Sequence, residues 1–265
     1  MMLILHVLML SLLSSGSAEV VTDFERECGQ FFANGRSPTI FPGQQYRQIC
    51  QMQKNVSYYA TFYDTYNKIP VYSAYVFTGI RHCIRKTRWY IEPQIDDNNA
   101  GPNMASESSV DIQIRGVRQA LNGNYYRSGY HKGHLAPVYL ANSQRCANAT
   151  FTLTNAAPQA SYFNSVLWWR KEQLLATYLQ RKCVSQNVYI VTGVVPGTNY
   201  MNNTVNVPSH FWTAYCCLDQ NKRCSNSKGF IGTNDNNSNI RTYKNVAALE
   251  KKLENLYDRT FQLFQ

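Results

Sequence analysis

Acidic residues are scarce in this 265-residue chain: 16 Asp and Glu stand against 26 Lys and Arg, giving a net charge of +10 at pH 7 and a pI near 9.2. That imbalance suits a polyanionic partner, whether nucleic acid, acidic glycan or anionic membrane. Long apolar runs are also missing. After the first eighteen residues the longest, around VYIVTGVV, falls far short of the ~20 residues a membrane helix needs, which excludes a helical span there. The cysteines form no CxxC pair, and the vicinal Cys216-Cys217 fits a tetrahedral site poorly, so the common structural zinc patterns are absent. No Pro/Ser/Gly-rich linker or internal repeat divides residues 19–265, which read as one domain.

What is present begins with MMLILHVLMLSLLSSGSA, residues 1–18. Its short apolar core and terminal Gly16-Ser17-Ala18 match a secretory signal cut before Glu19, although the usual basic segment is missing. Eight cysteines follow, at 28, 50, 83, 146, 183, 216, 217 and 224. An even number in an exported chain predicts disulfides, with the pairing left open. Glycosylation sequons at Asn55, Asn148, Asn202 and Asn236 agree with a secreted, extracellular destination.

Periodicity supplies the main elements. VYSAYVF (71–77), NVYIVTGVV (187–195) and HFWTAYCCL (210–218) read as central strands, and ATFTLTN (149–155) as a further strand. EPQIDDNNAGPNMASESS (92–109) reads as a long exposed loop. From Ser161 to about Arg181 there is no Gly or Pro, and apolar residues recur every three to four positions, as an amphipathic helix requires. A second helix near the end places Val246, Leu249, Leu253, Leu256 and Tyr257 on one face.

The stretch GYHKGHLAPVY (129–139) holds two histidines three apart. His131 and His134 alone are too few ligands for zinc. They open a β-β-helix succession: a strand-like segment with His134, the ATFTLTNAAPQ segment with Asn155, and a helix carrying Asn164 and Glu172. GHLAP, then TLTNAAPQ, then FN with WWRKE eight residues on, resembles the DNA/RNA non-specific endonuclease family, the ββα-metal nucleases. Flanking segments IPVYSAYVF, WYIEPQID, VTGVVPG and FWTAYCC resemble its vertebrate secreted branch, the endonuclease domain-containing 1 proteins.

The resemblance implies an α+β fold with a mixed, largely antiparallel sheet core, flanking helices and a ββα-metal motif. It also implies hydrolysis of DNA, and of RNA as a further substrate, with low sequence specificity and a 5′-phosphate product. His134 matches the general base, and neutral imidazole with a reference pKa of ~6.5 suits that work. Asn164 matches the sole direct protein ligand of Mg²⁺, with Mn²⁺ or another divalent cation as substitutes; an ion that keeps its waters needs few protein ligands. Glu172 would lie ~12 Å along an ideal helix from Asn164 and ~80° around it, suiting a role through water. Asn155 matches a supporting position. For the arginine that stabilises the transition state, Arg88 is preferred over Arg85.

Where the family has Asp-Arg in DRGH, this chain has His131-Lys132. A carboxylate and a bidentate guanidinium fork are both gone, leaving Lys132 as a phosphate cation. Two functions follow as expectations: a secreted Mg²⁺-dependent endonuclease, or a catalytically silent nuclease fold that binds extracellular nucleic acid, other polyanions or a protein partner.

Overall fold

The computed structural model describes residues 20–183 and 186–265; the expected signal segment lies outside them. Twelve strands form within the described residues: β1 (Val20–Val21), β2 (Tyr46–Gln53), β3 (Val56–Asp64), β4 (Ile69–Phe77), β5 (Tyr130–His134), β6 (Ala156–Ala160), β7 (Asn187–Val195), β8 (Asn199–Met201), β9 (Val205–Val207), β10 (His210–Leu218), β11 (Cys224–Thr233) and β12 (Arg241–Tyr243). Eight of them build one antiparallel sheet in the order β1-β2-β3-β4-β7-β10-β11-β12. The three runs expected to be central strands are β4, β7 and β10, adjacent in the middle. The architecture is α+β with a largely antiparallel sheet, as expected.

Alternation along these strands divides the interior in two. Tyr72, Ala74, Val191, Trp212 and Ala214 face one apolar layer, which Phe24, Phe32, Phe41 and the C-terminal helix Val246–Tyr257 cover. That helix buries Val246, Leu249 and Leu253 as its periodicity predicts, and Asn245 caps it by accepting from the Ala248 amide. Tyr75, Phe77, Ile190, Phe211 and Tyr215 face the other layer, where the ribbon β5-β6 and the helix beginning after it pack. The sheet therefore serves as a rigid floor beneath the ββα unit.

That helix differs from an ideal one. Phe163–Trp168 is a π-helical turn, and an α-helix continues from Trp169 to Lys182. The amide of Trp169 reaches back to the carbonyl of Asn164, an i-to-i+5 bond that widens the turn. Phe163 and Trp168 are buried against Phe211 and Phe230, so aromatic packing holds both ends of the wide turn.

Disulfides tie the elements together. Cys28–Cys50 joins the N-terminal segment to β2, Cys183–Cys217 joins the end of the long helix to β10, and Cys216–Cys224 closes the β10-β11 hairpin. Consecutive residues of a strand point to opposite faces, so the vicinal pair on β10 serves two layers at once.

Two expectations are corrected. ATFTLTN is not a strand: residues 144–149 form a short helix and Leu153–Asn155 a 3-10 turn, while the strand β6 is the following AAPQA. The side chain of Asn155 bonds the carbonyls of Ala136 and Thr150, which favours a turn over a ladder. Pro158 is tolerated in β6 because a two-stranded ribbon consists only of edges. Residues 92–109 are not wholly exposed either. Pro93–Asp96 is a helical turn that buries Ile95. The backbone of Glu92 is also paired with the amide of Gln119 on both its N–H and C=O sides.

Gly193 lies where Trp212 crosses the sheet, and an added methyl group would meet the indole ring and the carbonyl of Val71. Gly193→Ala is expected to destabilise the chain by about 1–3 kcal/mol or more through overpacking, read as a lowered midpoint in guanidinium unfolding at unchanged slope.

Candidate active site

The ribbon β5-β6 pairs His131 with Gln159, Lys132 with Pro158 and His134 with Ala156. Asn155, just before β6, is fully buried and uses both ends of its amide. Its Oδ1 accepts from the Ala136 amide (2.8 Å) and the Ser73 hydroxyl (2.9 Å). Its Nδ2 donates to the carbonyls of Ala136 (2.9 Å) and Thr150 (3.0 Å). One side chain thus joins the sheet, the chain leaving β5 and the chain entering β6.

A cleft of about 360 Å³ opens beside the ribbon, and its walls include Arg85, His131, Lys132, His134, Asn164 and Glu172. His134 is 8% exposed. Its ring lies 4.6 Å from that of Trp89 and edge-on to Phe151 at 5.0 Å. Nε2 has no hydrogen-bond partner within the protein. Burial, and then the nearby charge of Arg85, push its pKa down to about 3, so the imidazole is neutral across the physiological range. Lys132 and His134, two residues apart, both meet Trp89. The Lys132 ammonium stands 5.4 Å from the Trp89 ring and 5.6 Å from the Tyr125 ring, and donates to Asn122 Oδ1 at 2.7 Å. Desolvation lowers its pKa, opposed by Glu107.

His131 projects to the other side, its Nδ1 3.3 Å from Nδ2 of Asn164. The contact uses the amide nitrogen of Asn164, leaving Oδ1 as the atom suited to a hard cation. Glu172 enters the same cleft from the first turn after the π-helical segment. An ideal helix would turn it away from Asn164; the wide turn between them changes that phase, and both residues line one cavity. Burial raises the Glu172 pKa to about 8, and Arg85 opposes the rise. At neutral pH this favours the protonated carboxyl, and the partial exposure of the side chain lets water moderate the effect.

The two arginines separate. Arg85 lines the cleft, interacts electrostatically with His134 and Glu172, and rests 5.6 Å from the Phe151 ring. Both arginines are exposed, but the preferred Arg88 lies over Tyr90 at 5.3 Å and is not among the residues lining the cleft. Spacing could not separate them, because the irregular segment before Trp89 has no periodicity to fix which side chain turns inward. Sequence reasoning also missed Trp89, which supports both His134 and Lys132, and the Tyr139–Trp169 pair, edge-to-face at 4.9 Å on the cleft wall. Trp169 stood in the sequence only as part of the helical WWRKE run.

A model of DNA/RNA non-specific endonucleases matches residues 41–262. The chain belongs to this family. The human endonuclease domain-containing 1 protein is 35% identical over 195 residues, covering 72% of this chain and 39% of its own; the mouse protein is 32% identical over 201 residues, covering 72% and 38%. The chain thus spans about two fifths of the length of these curated relatives. A solved structure of an EndoG/EndoGI complex superposes with a TM-score of 0.55 at 22% identity, covering 90% of this chain and 91% of that one. The two chains therefore share a fold. Among the described residues no helix is long and apolar enough to cross a membrane.

Asn155→Asp keeps the size of the side chain but turns a donor to two carbonyls into an acceptor. It is expected to destabilise the fold by about 2–4 kcal/mol, since buried groups lose their partners. Guanidinium unfolding would measure the loss, and a change below about 0.5 kcal/mol would show that the junction is not needed.

Proposed function

We propose that residues 19–265 form a single secreted, divalent-metal-dependent endonuclease domain that cuts DNA, and RNA as a further substrate, with little sequence preference. The observation that carries this reading is the convergence of a neutral buried His134, the Asn164 amide, Glu172 and Arg85 on one cleft. Phosphates carry no base identity, so binding through them gives low specificity. Three disulfides and four sequons support export and glycosylation.

The donors fit a magnesium-like ion. Asn164 Oδ1 and the Glu172 carboxyl are hard oxygens, and among the described residues no group of three or more His, Cys, Asp or Glu forms a protein cage for a metal. Asn164 would hold the ion directly and Glu172 through water, an arrangement suited to Mg²⁺, with Mn²⁺ as a substitute. When bound, the ion supplies charge for the non-bridging phosphate oxygens and the leaving 3′ oxygen.

His134 takes the proton from the attacking water on its neutral imidazole, which borders the cleft. Burial first, and then the charge of Arg85, keep its proton affinity low. A phosphate seated on Arg85 cancels that charge and makes the imidazole a stronger base when substrate is present. Trp89 and Phe151 fix the ring, and Asn155 fixes the backbone behind it. Arg85, in place of Arg88, stabilises charge in the transition state, and Lys132 adds a cation at the cleft wall.

A silent binding fold is the second reading, and one observation favours it: Lys132 is already engaged by Asn122, Trp89 and Tyr125. Supercoiled-plasmid nicking separates the two. We expect nicking in Mg²⁺ and none in chelator, a loss of about 10²–10⁴-fold in His134→Ala, and a loss of about 10²–10³-fold in Arg85→Ala with Arg88→Ala near the parent. Plasmid retention that weakens with salt, without nicking in any divalent metal, would select the silent reading.

The state of Glu172 gives a second test. Its pKa is raised, so a proton present at pH 7 must leave when a cation arrives, and metal affinity falls as pH drops below about 8. Calorimetry in buffers of different ionisation enthalpy should show about one proton released per Mg²⁺ at pH 7 in the parent and close to none in Glu172→Gln. Equal release from both proteins would remove Glu172 from the metal site.

A further inference from the structure

Six of the eight cysteines are paired, and the two that remain, Cys83 and Cys146, are neighbours in space. Cys146 is buried in a small apolar cluster with Val138, Ala141, Ala147 and Phe151, and Cys83 packs against that cluster together with Trp89. The Gln144 side chain already fastens these regions. The amide of Ile84 donates to Gln144 Oε1 at 2.8 Å, and Gln144 Nε2 donates to the carbonyl of Ile84 at 2.9 Å. Burial and the proximity of Cys83 raise the Cys146 pKa to about 11, which is consistent with two thiols that feel each other.

Cys83 lies two residues before Arg85, in a segment with no regular secondary structure from Thr78 to Arg88. Arg81, Cys83, Ile84 and Arg85 border a hollow of about 230 Å³ that shares Arg85, Val138, Tyr139 and Trp169 with the cleft. Whatever fixes Cys83 therefore fixes the approach of the Arg85 guanidinium to His134 and Glu172.

We propose that Cys83 and Cys146 are the site of a fourth disulfide, which pins the Arg85 segment to the short helix behind His134. Closing it requires an oxidant, and a low-molecular-weight disulfide of the glutathione class suffices. One Cys thiolate attacks it to give a mixed disulfide, and the second thiolate displaces the remaining half. The products are the new Sγ–Sγ bond and two molecules of reduced thiol, which carry away the two protons and two electrons. Reducing agents run the exchange backwards. The bond itself does not depend on the endonuclease reading; its effect on cutting rests on that reading.

The test uses the purified full chain, equilibrated with oxidised glutathione, alkylated, deglycosylated and digested with trypsin without reduction. Cleavage at Arg81, Arg85, Arg145 and Arg170 leaves Cys83 in peptide 82–85 and Cys146 in peptide 146–170. We expect these two peptides to be recovered as one cross-linked species, and no thiol to titrate in denaturant. Hydrogen exchange of amides 79–88 should be about tenfold faster in Cys83→Ser and in Cys146→Ser than in the oxidised parent, with exchange in β4, β7 and β10 unchanged. Two free thiols after oxidation, or each cysteine capped separately by glutathione, would overturn the bond. Cross-linking with unchanged exchange would overturn the pinning. Nicking is then measured on the same samples: a cross-linked, pinned protein that never cuts would refute the endonuclease reading and leave the disulfide standing. Slower nicking by the serine variants would support both.

Discussion

A single buried amide couples the catalytic candidate to the scaffold. Asn155 meets Ser73 of the central sheet on one side and the backbone of Ala136 and Thr150 on the other. It makes its four hydrogen bonds in a place with no solvent to replace them. Such fully satisfied buried networks specify geometry, because any shift strands a polar group at a cost of about 1–3 kcal/mol. His134 lies two residues from Ala136, so the position of its ring relative to the floor is inherited from this junction. Ser73 is itself held by Thr61 across the neighbouring strand, which extends the constraint into the sheet.

The electrostatics of the cleft follow from depth and from one guanidinium. Burial disfavours charge on both ionisable partners: the imidazole of His134 is kept neutral and the pKa of the Glu172 carboxyl is raised. Arg85 lowers the pKa of both. For the histidine that deepens the effect of burial, and for the glutamate it opposes it. The site is therefore arranged around an uncompensated cation that awaits negative charge, in a chain whose overall charge is +10. At position 131 the chain carries no carboxylate, and the His131 imidazole stands against Asn164.

The sheet, the two long helices and the members of the site were legible because each rests on short-range pattern. Strand β7 is a nine-residue apolar run, the helix over 161–182 shows its three-to-four repeat, and His134, Asn155, Asn164 and Glu172 occur at spacings within one local motif. What escaped depends on contacts between distant segments. The choice between Arg85 and Arg88 depends on how an irregular segment packs on Phe151. The phase of Glu172 depends on a π-helical turn set by Phe163 and Trp168 meeting aromatic residues of β10 and β11. The turn at 153–155 arises because the Asn155 side chain bonds backbone that a strand would have paired otherwise. The burial of Glu92 has the same origin, since Gln119 reaches it from 27 residues away, and Ile95 is buried with Ile49 and Tyr63 of the distant strands β2 and β3.

The neighbouring cysteines of β10 link chemistry to strand register. Cys217 is joined to the long helix on one face and Cys216 to Cys224 in the hairpin on the other. A slip of β10 by one residue would exchange the faces of the two thiols and present each to the wrong partner. Only the chain with every strand in register can close both bonds without rebuilding the sheet. Disulfide oxidation thus acts as a proofreading step, making covalent the one alignment in which the helix bearing Asn164 and Glu172 is seated correctly over the floor.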